Sequence, residues 1–293
     1  MEKDSRFKFV DDLTALEAIN LLIVGLASHN PKIQVPNNIH MSNQFIPAEH
    51  IKSQDHINKI QEWTVKQKMV LNEEKTKTMT FNFTKKKQFS TELKLNGKVI
   101  ETVKDMKLLG TIITSDLKWS KNTKYLVKRA YSRMELLRQM TNFTKSTKDK
   151  LHIYKMYIRS VLEQSCVVWG SSITKKSENK LERVQKVAVK LISNNYITYL
   201  ETLTTLNLET LKERRMLLIQ RFAERSYKNN KTRSMFQLNE SSHTMDLRKQ
   251  EKFKVINAKT VRMQRSAIPT MTRHLNNKHE EKRKLLNNLT QYH

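Results

Sequence analysis

Two adjacent carboxylates near the start of the chain, Asp11 and Asp12, are the residues best suited to do chemistry. They lie between two apolar runs, residues 6–10 and 13–19, and this pattern favours a tight hairpin with both acids at its tip. Like charges held this close repel each other unless a cation neutralises them, and Mg²⁺ prefers oxygen ligands of this kind. In two-metal nucleotidyl transfer, ions about 3.5–4 Å apart hold the attacking and leaving oxygens. Taken alone, the pair is better explained as an ordinary surface turn than as a metal site.

Basic residues on the outer faces of two predicted helices form a second candidate site. They are Lys124, Lys128, Arg129, Arg183, Lys186 and Lys190. Acidic residues do not balance them, so a groove that follows a phosphate backbone is favoured over ordinary solvated side chains. Trp119, Trp169 and Tyr157 could stack on bases, but packing in the core is the favoured interpretation for all three.

The composition points to polyanionic partners. Among 293 residues, 55 Lys and Arg stand against 28 Asp and Glu, which gives a formal net charge of +27. A surface this basic favours nucleic acid as the partner, with an anionic membrane face as the lesser alternative. The one cysteine, Cys166, excludes an internal disulfide framework and cysteine-rich zinc modules. With four Gly and four Pro in the whole chain, long helices are favoured.

The N-terminal segment has none of the features of a secretory signal. Met1 to Lys8 is charged, and the longest apolar stretch, Leu13 to Ala27, is short for a membrane span and contains Glu17 and Asn20. We therefore expect an intracellular protein, in the nucleus or the cytoplasm, that is not secreted and does not enter a membrane.

Short strands and one helix are expected to position the acidic pair. Residues 28–50 have the composition of a loop, and a helix is predicted from about Ser53 to Lys68. A strand is predicted over Thr76–Phe83, a hairpin over Leu93–Val99 with its Asn96-Gly97 turn, and another strand over Met106–Ile113.

From Trp119 onward the apolar pattern has the period of a helix. Four stripes share this period and predict the packing faces of a bundle: Leu126, Ala130, Met134 and Leu137; Leu151, Tyr154, Ile158 and Val161; Leu181, Val184, Ala188 and Leu191; Leu208, Leu211, Leu218 and Phe222. Ser120 is the predicted N-cap of the first helix, and Ser146-Thr147 precede the second. From about Tyr227 the chain becomes polar and basic, which is typical of a tail or a small appendage.

Several blocks of the sequence occur in the order found in one family. Phe9-Val10-Asp11-Asp12 resembles the aromatic-x-Asp-Asp box of reverse transcriptases, and Met69–Phe81 resembles the next block of the non-LTR (LINE-type) retrotransposon enzymes. Further similar blocks follow: Lys107–Ile113 with Asp116–Trp119, Tyr157–Glu163 with Val168–Gly170 and Leu181–Lys186, and finally Ser266–Pro269. Each block alone is a weak signal, whereas five in family order over nearly the whole chain indicate common descent.

The resemblance implies a polymerase site around the acidic pair. It makes Asp11 a catalytic metal ligand and Asp12 a second carboxylate of the same site, with Mg²⁺ as the ion and Mn²⁺ as its alternative. Phe9 takes the aromatic position next to the primer end, and Lys75 takes the position of a catalytic lysine near the incoming triphosphate. An ordinary solvated lysine is the alternative for Lys75.

The resemblance also implies the fold and the partners. It predicts an α+β protein with a truncated antiparallel palm sheet followed by a helical thumb bundle. Residues 1–115 would be the C-terminal part of the palm, 116–226 the thumb and post-thumb region, and 227–293 a basic C-terminal tail. Leu109 and Gly110 would lie in a hairpin that grips the primer terminus, with a β-bulge or strand end as the alternative for Gly110. The implied partners are an RNA template and a DNA primer.

Two parts of such a polymerase are not found in this sequence. In the family, a third carboxylate lies on a strand upstream of the Asp-Asp hairpin, and a fingers region binds the incoming nucleotide. We therefore expect that the chain descends from an RNA-directed DNA polymerase. It should bind deoxynucleoside triphosphates only when a separate upstream polymerase segment supplies the missing half. The alternatives are a non-enzymatic, basic nucleic-acid-binding remnant and a decayed product without a role.

On this basis we predict that the 293-residue chain alone does not extend a primer. The two metal ions hold the attacking and leaving oxygens only when all of their carboxylate ligands are present. Residues that act as one unit lose most of their catalytic effect when one of them is missing. Primer extension on an RNA template in Mg²⁺ tests this prediction. Extension that disappears in an Asp11→Ala variant would contradict it.

Overall fold

A computed structural model describes residues 48–81, 92–239, 251–258 and 260–290 of the chain. The described part is mixed α and β, mostly helical, with a few short strands in small sheets, which confirms the α+β class at this level. The chain divides into two compact units between Lys118 and Trp119. None of the described helices has the length and apolar character needed to cross a membrane.

The described part of the first unit begins with helix α1 (Ala48–Lys66). The predicted helix is therefore confirmed, although it starts at Ala48 rather than Ser53, inside the segment expected to be loop. Short strands follow: β1 (Lys77–Thr78), β2 (Lys94–Leu95), β3 (Lys98–Val99), β4 (Glu101–Thr102), β5 (Asp105–Leu108) and β6 (Thr111–Thr114). They form two-stranded sheets, parallel for β1 with β4 and antiparallel for β2 with β3 and for β5 with β6. Within the described residues, the predicted strand over Thr76–Phe83 is reduced to β1.

The two antiparallel pairs of the first unit are hairpins with two-residue turns at positive φ. Asn96 (φ 50°) and Gly97 (φ 80°) join β2 to β3, as the Asn-Gly pair predicts. Leu109 (φ 46°) and Gly110 (φ 80°) join β5 to β6. The prediction of one continuous strand over Met106–Ile113 is therefore wrong, because the chain reverses in the middle of this segment.

Asp116 closes the segment after β6 with a short network of hydrogen bonds. Its Oδ1 accepts from the Thr114 hydroxyl (2.7 Å) and from the backbone N–H of Lys118 (3.0 Å), and its Oδ2 lies 2.9 Å from the Lys118 ammonium. Burial alone would raise the pKa of Asp116, but the hydrogen bonds from Thr114 and Lys118 outweigh it and lower the pKa to about 2. The network therefore favours the charged carboxylate.

We expect Asp116 to make the first unit less stable as the pH falls from about 4 to about 2. A carboxyl group whose pKa is lower in the folded state stabilises that state above its unfolded pKa, here 3.8, and loses this effect as the pH falls through the folded value. Thermal unfolding of the chain and of Asp116→Asn across this range measures the effect. The stability difference between the two should shrink toward pH 2, and a difference independent of pH would contradict the assignment.

The described part of the second unit is a bundle of helices. Its helices are α2 (Ser120–Phe143), α3 (Thr147–Ile153), a π-helical segment (Tyr154–Arg159), α4 (Ser160–Glu163), α5 (Cys166–Trp169), α6 (Lys175–Ile192), α7 (Tyr199–Thr205), α8 (Leu211–Lys228), α9 (Asn230–Arg233), α10 (Val261–Gln264) and α11 (Ala267–Thr290). Ser146, which the sequence places just before this helix, caps α3 by accepting a hydrogen bond from the Asp149 N–H. The N-cap of α2 is Trp119, which makes no side-chain cap bond, so the prediction for Ser120 is wrong.

The predicted apolar stripes form much of the core of the bundle. All four residues of the first stripe are buried in α2, and Leu181, Val184 and Ala188 are buried in α6. Helices α2 and α6 pack along each other, so these two stripes account for one side of the core. Four of the predicted residues are only half-buried: Leu151, Leu191, Leu218 and Phe222.

The described residues of the basic C-terminal region pack onto α8. Leu238 forms an isolated antiparallel bridge with Phe253, and α11 packs against α8. Their shared core consists of Ile219, Ala223, Phe236, Phe253, Met271 and Leu275. The polar composition after Tyr227 does not reveal this core, because its apolar residues are far apart in the sequence.

Candidate nucleic-acid interface

The predicted metal site lies outside the described residues, because Phe9, Asp11 and Asp12 precede residue 48. Where the structure describes the chain, no group of three or more His, Cys, Asp or Glu side chains could hold a metal ion. The assignment of Mg²⁺ to Asp11 and Asp12 therefore stays a prediction.

The predicted polymerase residues of the first unit lie in two exposed turns. Lys75 is exposed in the turn before β1, where its backbone N–H donates to Asn72 Oδ1 at 3.0 Å. Leu109 and Gly110 form the β5–β6 turn, and the Leu109 side chain is 57% exposed. A bulky residue at positive φ is strained by roughly 1–2 kcal/mol, since its Cβ crowds the backbone. The hairpin position that the resemblance implies for these two residues is therefore present, and their contact with a primer stays a prediction.

Helix α6 presents a row of cations on its outer face. Arg183, Lys186 and Lys190 are all exposed, on the side opposite the apolar stripe that begins with Leu181. At 1.5 Å per residue the row is about 10 Å long. A nucleic-acid duplex carries one phosphate per about 3.4 Å of axis on each strand, so a row of this length matches about three phosphates.

The acidic residues of α6 do not neutralise this row. Glu178 pairs with Lys175 (3.5 Å) and Lys212 (3.7 Å). Glu182 accepts hydrogen bonds from the Tyr199 hydroxyl and from the Leu211 N–H (3.3 Å). Both carboxylates are therefore engaged on the flank of the helix that faces α7 and α8, and the outer face keeps its positive charge.

A buried glutamine that is not among the predicted site residues holds the start of α7 next to α6. Gln185 is fully buried, and its Nε2 donates to the Tyr199 hydroxyl (3.0 Å) and to the carbonyl of Glu209 (2.9 Å). Its Oε1 accepts a hydrogen bond from the Tyr154 hydroxyl. Burial raises the pKa of both tyrosines above the usual range, so they remain neutral donors. One signal was available, because Gln185 lies within the angular range of the apolar stripe of α6.

Two lysines of the row lie against tyrosine rings that follow α6 in the chain. The Lys186 ammonium is 5.1 Å from the centroid of the Tyr199 ring, and the Lys190 ammonium is 5.1 Å from the centroid of the Tyr196 ring. Cations at this distance from an aromatic ring are attracted by its negative face. This face of the bundle therefore combines positive charge with aromatic rings, a combination typical of proteins that bind nucleic acid.

The predicted cations of α2 separate into two kinds. Lys124 and Lys128 are exposed. Arg129 is half-buried, donates to Gln164 Oε1 at 3.1 Å and lies 5.5 Å from the centroid of the Tyr125 ring. Arg129 is thus held within the bundle, whereas the two lysines are accessible to phosphate.

The aromatic residues also separate. Trp119 and Trp169 are buried, which confirms their predicted packing role. Tyr157 is 42% exposed, so the same prediction is wrong for this residue. The Arg133 guanidinium lies 4.4 Å from the Tyr157 ring centroid and donates to the Tyr157 carbonyl at 2.7 Å, which holds the ring at the surface.

No protein-family model matches this chain, and no curated protein or solved structure matches it. The described residues therefore define a mixed α and β protein whose helical bundle has an exposed basic face.

Proposed function

We propose that this chain corresponds to the C-terminal part of a non-LTR retrotransposon reverse transcriptase and that its described part binds the RNA–DNA template–primer. The observation that carries the proposal is the outer face of α6, where Arg183, Lys186 and Lys190 are exposed while the glutamates of the helix are bonded to other groups. The net charge of +27 supports the same class of partner.

The order of the two units supports the polymerase part of the proposal. A unit with short strands followed by a helical bundle is the order that a palm and a thumb would give. The β5–β6 hairpin, with Leu109 and Gly110 at its tip, is consistent with a primer grip. Asp11 and Asp12 would hold Mg²⁺ or Mn²⁺, and such an ion would neutralise charge that develops on the transferred phosphate.

A non-enzymatic nucleic-acid-binding protein is the second candidate. The basic face of α6 favours it, because this face can bind phosphate without a polymerase site. Mixing the chain with a separate fingers-and-palm segment distinguishes the two candidates. If this chain is part of a polymerase, the mixture should extend a primer. If the chain only binds nucleic acid, the mixture should not.

We expect the chain to bind a short RNA–DNA hybrid with an affinity that falls steeply as salt rises. Three to six engaged phosphates predict a slope of log K against log salt between about −2.7 and −5.4, because each contact releases condensed counterions. Fluorescence anisotropy of a labelled hybrid between roughly 50 and 200 mM salt measures this slope. Binding that does not change with salt, or no binding, would contradict the proposal.

A further inference from the structure

We propose that residues 194–200, which comprise the turn after α6 and the first two residues of α7, form a stacking site for an unpaired nucleobase, with Tyr196 as the stacking ring. This inference rests on the proposed function, because it concerns the same basic face. It adds a ligand class that the row of cations does not specify, since cations bind phosphates of single and double strands alike.

The two tyrosines of this segment have different surroundings. The Tyr199 hydroxyl is bonded to Gln185 and Glu182, and its ring is half-buried beside Lys186. The Tyr196 hydroxyl makes no hydrogen bond with any described residue, and its side chain is 37% exposed. Tyr199 therefore anchors the turn, whereas Tyr196 is accessible to a ligand.

The turn is fixed at both ends. Asn194 accepts a hydrogen bond from the buried Lys150 ammonium (3.0 Å) and donates to the Lys145 carbonyl (3.0 Å). At the other end, Tyr199 is held by the buried amide of Gln185. A ring between two anchored positions loses little conformational entropy when a base stacks on it, which favours binding.

Two exposed apolar side chains follow the accessible ring in the sequence. Ile197, the next residue in the turn, is 73% exposed, and Leu200 in the first turn of α7 is 66% exposed. An apolar, aromatic surface beside the Lys190 ammonium offers a base its π-face contact and offers the adjoining phosphate a cation. Paired bases inside a duplex are already stacked, so this chemistry selects a single strand or the unpaired end of a strand.

The test compares two single strands of about ten nucleotides, a thymidine oligomer and an abasic oligomer with the same phosphates. We expect the chain to bind the thymidine oligomer about 5- to 150-fold more tightly, since stacking of one base on an aromatic ring contributes about 1–3 kcal/mol. Tyr196→Ala should remove this preference, and Tyr196→Phe should keep it. Tyr157→Ala is the matched control, because it removes another exposed tyrosine beside a cation and should leave the preference intact.

The outcomes separate this inference from the proposed function. Binding of both oligomers with equal affinity, or a preference that survives in Tyr196→Ala, would overturn the stacking site while leaving the basic face intact. Loss of the preference in Tyr157→Ala but not in Tyr196→Ala would place the site elsewhere and also overturn it. Failure of both oligomers and of the RNA–DNA hybrid to bind would overturn the proposed function itself.

Discussion

Replacing Arg183, Lys186 and Lys190 together with glutamine should weaken binding of an RNA–DNA hybrid by about 500-fold at roughly 0.1 M salt. Each phosphate contact contributes about 0.9 to the slope of log K against log salt, so three contacts contribute about 2.7. At roughly 0.1 M salt this slope corresponds to a factor of about 500 in the binding constant. The three side chains are exposed and form no ion pair with a described acid, so their loss should leave the bundle folded. Salt titrations of the parent chain and of the variant should therefore differ in slope by about 2.7.

A second triple variant controls for net charge. Arg138, Lys212 and Lys278 are also at the surface, but each already pairs with a glutamate of its own unit. Changing these three to glutamine removes the same formal charge and should alter the affinity by only a few-fold, because they do not form the row on α6. Equal losses in the two variants would show that overall charge, rather than the row, determines binding.

The placement of the row on α6 was predictable because helical periodicity fixes which residues share a face. Leu181, Val184 and Ala188 define the inner side of the helix, and Arg183 and Lys186 must then point away from it. The same arithmetic correctly assigns the first stripe of α2 to the core. These predictions concern residues within one helix, where no tertiary information is needed.

Features that depend on contacts between elements were not predictable in this way. The apolar residues of Met106–Ile113 favour a strand, and Leu109 rarely adopts positive φ, so only Gly110 and the family resemblance indicate a turn there. Tyr157 has an apolar ring at a helical position, but the Arg133 guanidinium holds this ring at the surface. Gln185 reaches acceptors on two other parts of the bundle, which no local pattern encodes.

Gln185→Ala should lower the free energy of unfolding of the second unit by about 3–5 kcal/mol. The substitution removes a donor to two acceptors and an acceptor for the Tyr154 hydroxyl, and each buried polar group left without a partner costs about 1–3 kcal/mol. The Tyr199 hydroxyl keeps its bond to Glu182, so the total stays below the simple sum. Urea unfolding followed by helical circular dichroism measures the change.

Two variants show whether the buried amide itself is responsible. Tyr154→Phe removes one hydrogen bond of the network and should cost about 1–2 kcal/mol. Asn179→Ala, on the exposed side of the same helix, should stay within about 0.5 kcal/mol of the parent chain. If Gln185→Ala behaved like Asn179→Ala, the network would not stabilise the bundle. Because Gln185 is one of two groups that hold the Tyr199 hydroxyl, the folded fraction of Gln185→Ala should show a weaker preference for thymidine over abasic strands, which links the stability of the core to the proposed stacking site.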